Sequence, residues 1–239
     1  MTPSPDPRQP SVLIVFPWCL DRAGHGNVQR VLAMARYLSR HDVDVDLVYQ
    51  GNPRVPNREH ELIGFRRVLR VDAWESYDDT RLYLAWEAFF GEHDLPSSNL
   101  CPGSALVGLV RGLLDAIDYT AVIASYAWTA PMFDGLASPA LRIVDLHDVL
   151  SLHVDRCEQA TGDVAPFSMS ADTERFLWQH WDALLAITDQ EARLVAPSLR
   201  PSQRLKSPTT LTRAALGAQV TNSTPSIPST DLECAPRNL

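Results

Sequence analysis

The run Val12-Leu13-Ile14-Val15-Phe16 constrains this chain more than any other segment. Five consecutive apolar residues of strand length suit a strand buried on both faces, as in the middle of a parallel sheet. A loop from Pro17 to Gly26 follows. Val28, Val31, Leu32, Ala35 and Leu38 then recur at helical spacing to about Arg40, with Asn27 as the expected N-cap. Between Val43 and Tyr49, Val43, Val45 and Leu47 alternate with Asp44 and Asp46, which predicts a strand nearer the sheet edge. Strand, helix and strand in this order make a βαβ unit.

The alternation continues along the chain. Strands are expected at Val68–Val71, Ala121–Ala124, Leu141–Leu146 and Ala183–Ile187. Helices are expected at Asp78–Glu92, with Leu82, Trp86, Phe89 and Phe90 on one face, and through the apolar stripe Leu106, Leu109, Val110, Leu113, Leu114 and Ile117. Further helices are expected at Ala130–Leu136, at Ser170–Trp181 with Phe176, Leu177 and Trp181 inward, and at Asp189–Val195. This order predicts an α/β fold, a doubly wound, Rossmann-like parallel sheet. Residues 1–10 are polar and proline-rich and are expected to be disordered, and the sheet domain is expected over 11–199. From 200 to 239 Ser, Thr, Pro, Gln and Asn dominate. Such a segment buries too little apolar surface to offset its ordering entropy, so it reads as a disordered tail or as out-of-frame sequence.

Charge excludes one class of partner. Asp and Glu number 29 against 21 Lys and Arg, a net charge of -8. An acidic body repels phosphate backbones, so nucleic acid is not expected as a partner. The small cluster Arg66, Arg67 and Arg70 suits either a solvated strand end or a local phosphate contact. Cys19, Cys101, Cys157 and Cys234 stand far apart without CxxC spacing, which points to a reducing compartment and away from structural zinc. The N-terminus lacks the basic start and apolar run of a signal peptide, and the expected location is the cytoplasm.

In a doubly wound sheet, ligands bind beyond the carboxyl ends of the strands, which directs attention to the loops there. The loop after the first strand ends in Gly24-His25-Gly26-Asn27 and opens into a helix. Glycines let the backbone approach a ligand, and free N–H groups at a helix start suit a phosphate or sugar hydroxyls. A flexible turn is the plain alternative. Gln29 stands where GxGxxG needs Gly or Ala, so the loop is not a dinucleotide fingerprint. After Leu141–Leu146 come His147 and Asp148. His147 is the candidate catalytic residue, as a proton acceptor or a sugar-hydroxyl ligand, with Asp148 to orient it. A histidine that only bonds locally is the alternative. A metal set would add Asp145 and His153, but the spacing matches no standard site, and no metal is expected. Ser125 follows a strand without the glycine turn of a nucleophile elbow.

The order of these pieces resembles the N-terminal domain of family 4 retaining glycosyltransferases of the GT-B fold. The residues that carry the resemblance are Gly24, Gly26, Arg30 and the stretch His41–Tyr49 in the opening unit, the His147-Asp148 pair in IVDLHDVLS, and Glu174–Ala196. It covers positions 12 to 199. His25 departs from the family's adjacent glycines. The resemblance implies a hexosyltransferase-type enzyme of polysaccharide biosynthesis that transfers a sugar from a nucleotide-sugar to a glycan or lipid-linked acceptor. It implies no cofactor besides that donor substrate, and a lipid-linked acceptor would bring peripheral membrane contact. The acceptor-side residues it implies are Gly24, His25, Gly26, Asn27, Arg30 and Asp148. Family members continue into a second, donor-binding Rossmann-like domain, and nothing after Arg200 resembles it. The expectation is a truncated, acceptor-side half, inactive alone. The other readings are a stand-alone acceptor- or partner-binding domain, and a metal-dependent α/β hydrolase built on Asp145, His147 and Asp148.

Overall fold

The computed structural model describes residues 9–20, 26–51, 64–72, 89, 102–152 and 169–207. Strands β1 (Ser11–Phe16), β2 (Asp44–Gly51), β3 (Arg67–Asp72), β4 (Ala121–Ser125), β5 (Leu141–Asp145), β6 (Ala183–Leu185) and β7 (Arg204–Lys206) form one sheet in the order β3-β2-β1-β4-β5-β6-β7. Every neighbouring pair is parallel. The helices are α1 (Gly26–Ser39), α2 (Ser104–Ala116), α3 (Ala171–Trp178) and α4 (Asp189–Val195), with a 3-10 segment at Ala127–Phe133. The α/β doubly wound fold read from the sequence is therefore the observed one. No described helix is long and apolar enough to cross a membrane.

β1 shows why an unbroken apolar run was required. Val12, Ile14 and Phe16 point to the face covered by α1, where Val28, Val31 and Ala35 are buried. Leu13 and Val15 point to the other face and join Leu106, Val110 and Leu114 of α2, Leu177 of α3, and Trp181. With side chains alternating at period two, only a strand apolar on both sides can serve two cores. The helix expected over Asp78–Glu92 lies outside the described residues apart from Phe89, which packs against Phe176 at 5.7 Å.

Three expectations need correction. β2 stands second from the border, between β3 and β1, and so nearer the edge than β1 as its pattern predicts; what needs correcting is its polar face. Its alternating aspartates suggested a wet face, but Asp46 is fully buried. Arg66 donates from Nε to Oδ1 at 3.0 Å and from Nη2 to Oδ2 at 2.6 Å, Arg67 Nε to Oδ2 at 3.1 Å, and the Tyr119 hydroxyl to Oδ2 at 2.6 Å. These donors hold the Asp46 carboxyl well below its ordinary range against the opposing effect of burial. Arg66 and Arg67 are thus part-exposed side chains anchored on a buried carboxylate. Arg70 pairs with Asp72 at 2.8 Å and lies so close over Gly51 that an added Cβ there would sit 2.2 Å from its Nε.

The second correction concerns position 199, because the sheet continues past it. β7 pairs with β6 in the register Ala183↔Arg204 to Leu185↔Lys206. Gln203 clamps the turn before it, donating from Nε2 to the carbonyls of Trp178 and Trp181 at 2.7 Å each. One amide side chain and a short ladder hold Arg204, Leu205 and Lys206, which composition alone assigned to a tail. The third concerns Asn27. α1 starts at Gly26, so Asn27 lies within its first turn and not at the cap.

Candidate functional site

The strand order reverses direction between β1 and β4, and a crevice opens there beyond the carboxyl ends of the strands. A cleft of about 570 Å³ occupies it, lined by Gly26, Asn27, Arg30, Tyr126, His147, Asp148 and Ile187. Of the expected site residues, the fold brings together Gly26, Asn27, Arg30, His147 and Asp148. Gly24 and His25 lie outside the described residues. A Cβ built on Gly26 would meet nothing within 4 Å, so its backbone stands open to the cleft.

The deepest element is an ion pair. Arg30, on the second turn of α1, donates from Nε to both oxygens of Asp145 at 2.7 and 2.8 Å. Asp145 ends β5 and is fully buried, while the Arg30 side chain is 29% exposed. The pair joins two elements 115 residues apart in the chain.

His147 follows two residues later with a left-handed backbone, φ 55. Its Nε2 lies 3.0 Å from Ser125 Oγ and 3.3 Å from Asp145 Oδ2. A nitrogen facing a carboxylate carries the proton, so the neutral ring presents Nδ1 as its lone pair. Among the described residues every hydrogen bond of this ring is made by Nε2, and Nδ1 is left for a ligand. Burial pushes His147 below the ordinary imidazole range, with Asp145 working against it and Arg30 with it. The ring is therefore neutral at neutral pH.

Ser, His and Asp thus meet, but not as a nucleophilic triad. A triad needs the serine on one ring nitrogen and the carboxylate on the other. Here both partners share Nε2, and Ser125 is 1% exposed. For the metal reading, His153 lies outside the described residues, and among the described residues no group of three or more His, Cys, Asp or Glu could hold an ion.

Two residues join the site that sequence reasoning did not assign to it. Tyr126 has φ 71 and ψ 136, a conformation costing a bulky residue about 1–3 kcal/mol. Its N–H donates to Asp145 O at 2.8 Å, and its carbonyl accepts from Thr129 Oγ1 at 2.7 Å. The ring lies between His147 (4.8 Å, 30°) and Trp128 (5.9 Å, 24°), with Trp18 edge-on at 6.4 Å. Its hydroxyl accepts from Asn27 Nδ2 at 2.9 Å. Glu174 is the second. It is 1% exposed and accepts from the Leu150 and Ser151 amides at 2.8 and 2.9 Å, pinning the segment that follows Asp148. Burial pushes its carboxyl up.

Ile187 is held by the start of α4. Thr188 Oγ1 accepts from Glu191 N, and Glu191 Oε2 accepts from the Ile187 and Thr188 amides, all at 3.1 Å. This capping box satisfies helix-start donors reciprocally. Thr188→Ala is expected to cost about 1 kcal/mol, read by urea denaturation.

No family model matches the chain, and no curated protein matches it closely. Solved structures do resemble it. Sucrose-phosphate synthase from Thermosynechococcus elongatus is 14% identical with a TM-score of 0.51, over 84% of this chain and 47% of that one. UGT71G1 from Medicago truncatula, complexed with UDP-glucose, is 13% identical with a TM-score of 0.47, over 83% and 51%. The second likeness is too loose to argue from. The chain spans about half the length of these structures. The chain therefore has an α/β Rossmann-like fold of the kind present in the sucrose-phosphate synthase structure.

Proposed function

We propose that this chain is the acceptor-side half of a two-domain, retaining glycosyltransferase of family 4 type, acting in the cytoplasm in polysaccharide biosynthesis. The acceptor is a glycan or a lipid-linked sugar, and a lipid-linked one brings the protein to a membrane surface. The observation that supports this reading is the neutral His147 ring, held by Asp145 and Ser125 with Nδ1 unpartnered among the described residues, in a cleft at the switch point of the sheet. Such a nitrogen accepts a hydrogen bond from a sugar hydroxyl and raises that oxygen's nucleophilicity. Arg30, Gly26 and Asn27 line the same cleft.

In transfer, the hydroxyl oxygen bonds to the donor's anomeric carbon on the face from which the diphosphate departs, the bond from that carbon to the diphosphate breaks, and the hydroxyl proton passes to His147 Nδ1. That step needs a donor held in place, worth about 7–11 kcal/mol of proximity, and the donor belongs to a second half. The 239-residue chain is therefore expected to give no product with UDP-glucose and a panel of sugars in a label-transfer assay. Turnover there would overturn the division into halves. Retention of the chain on immobilised oligosaccharides, lost in His147→Ala, is the positive result. A chain that no sugar retains would refute the acceptor reading.

A further inference from the structure

Three groups at the His147 end of the cleft restrict what can bind there. The first is the Tyr126 hydroxyl. It accepts from Asn27 Nδ2, and burial lifts its pKa above the ordinary phenol value, so it keeps its own proton. That proton is a donor at the cleft wall. Both faces of the Tyr126 ring are covered, by His147 and Trp128, so a ligand meets it through its edge. The second is His147 Nδ1, a lone pair. The third is Asp148, exposed and lining the same end, whose carboxylate makes no ion pair or side-chain hydrogen bond among the described residues. Among the described residues the one cation lining the cleft, Arg30, is already neutralised by Asp145.

We propose that this end of the cleft is a subsite for an uncharged, polyhydroxylated ring, and that Tyr126 sets its specificity by donating its hydroxyl proton to one ligand hydroxyl while His147 Nδ1 accepts from another. The inference rests on the reading of the cleft as an acceptor site. A hydroxyl both donates and accepts, so it satisfies a phenol, an imidazole lone pair and a carboxylate together. A phosphate or carboxylate ligand only accepts. It meets the lone pair and the Asp148 charge as repulsion, and at contact distance that charge alone is worth roughly tenfold in affinity.

The test is saturation-transfer NMR on the full chain, with glucose and mannose as neutral probes against glucose 6-phosphate, mannose 6-phosphate and glucuronate. The neutral sugars are expected to bind about tenfold more tightly than their charged counterparts. Tyr126→Phe keeps the ring stack and removes the donor. It is expected to weaken the neutral sugars about fivefold, one hydrogen bond's worth, with the His147 ring signals unchanged and the melting temperature lowered slightly, since Asn27 Nδ2 loses its acceptor. Asp148→Asn is expected to narrow the gap between neutral and charged probes to about threefold or less. A phosphorylated sugar that binds as tightly as its neutral form, or a Tyr126→Phe chain that binds like the wild type, overturns the proposal while the acceptor reading stands. If no probe binds, neutral or charged, the acceptor reading itself falls and takes this inference with it.

Discussion

Replacing Arg30 by methionine is expected to lower the unfolding free energy by about 3–5 kcal/mol, because it strands the Asp145 carboxylate in the interior with its cation gone. For a domain of this size that is roughly a 10 °C drop in Tm. The cost arises from Asp145 and not from the arginine, which is already part-exposed. The double variant Arg30→Met, Asp145→Leu is therefore expected to recover much of it. A second readout is His147. Arg30 helps hold its pKa down, and Asp145 lies 3.3 Å from Nε2. Without Arg30 the uncompensated carboxylate raises His147, visible as a shifted imidazole titration by NMR. A variant within 1 kcal/mol of the wild type, or an unchanged titration, would show that the ion pair does not organise the site.

Asp46→Ala tests the other buried carboxylate, at the opposite end of the sheet. Its register partners are Leu13 and Arg67, early in their strands, whereas the cleft lies past the strand ends. Removing it leaves two guanidinium groups and the Tyr119 hydroxyl around a void. The arginine side chains are 37% and 42% exposed and can rehydrate, so the expected loss is about 2–3 kcal/mol, below the range for a fully buried pair. The pH dependence has a definite sign. Asp46 is held below its ordinary value, so the folded chain keeps it charged where the unfolded chain would protonate it. Its stabilisation is complete above about pH 4 and is lost as pH falls further. His147, also held low, adds a loss in the same direction that starts near the ordinary imidazole value of 6.5. Glu174 works the other way, since a raised carboxyl loses stability as pH rises through its folded value. Urea titrations from pH 3 to 7 are expected to show a steeper acid loss in the wild type than in Asp46→Ala. Parallel curves would exclude the Asp46 cluster as the source.

What the sequence disclosed and what it concealed separate along a physical line. β1, α1 and α4 were legible because their burial follows a local period that any window displays. Asp189–Val195 matches the expected helix at both ends. The burial of Asp46 in β2 was not legible, because an alternating aspartate reads as a solvent face unless its cations are known, and Arg66 and Arg67 come twenty residues later. The same holds in the cleft. His147 and Asp148 announce themselves as polar residues at a strand end. Arg30 entered through the family resemblance, but its contact with Asp145 spans 115 residues. Tyr126 was hidden for a different reason. A left-handed backbone at a non-glycine residue has no sequence signature, because the surrounding structure imposes it.

The strand order also bears on how the protein behaves in a crowded solution. Among the described residues the sheet ends in β3 on one side and β7 on the other. A parallel edge offers unpaired amides and carbonyls to any strand that approaches, its own copies included. Both borders carry cations: Arg67 and Arg70 within β3, and Arg204 and Lys206 within β7. Two copies meeting at their β7 borders would bring like charges together along the line where a shared ladder would have to form, whereas Arg67 and Arg70 on β3 are already paired with Asp46 and Asp72. The buried strands between them, apolar enough to seed aggregation if they were outermost, are flanked by the segments least suited to extending the sheet.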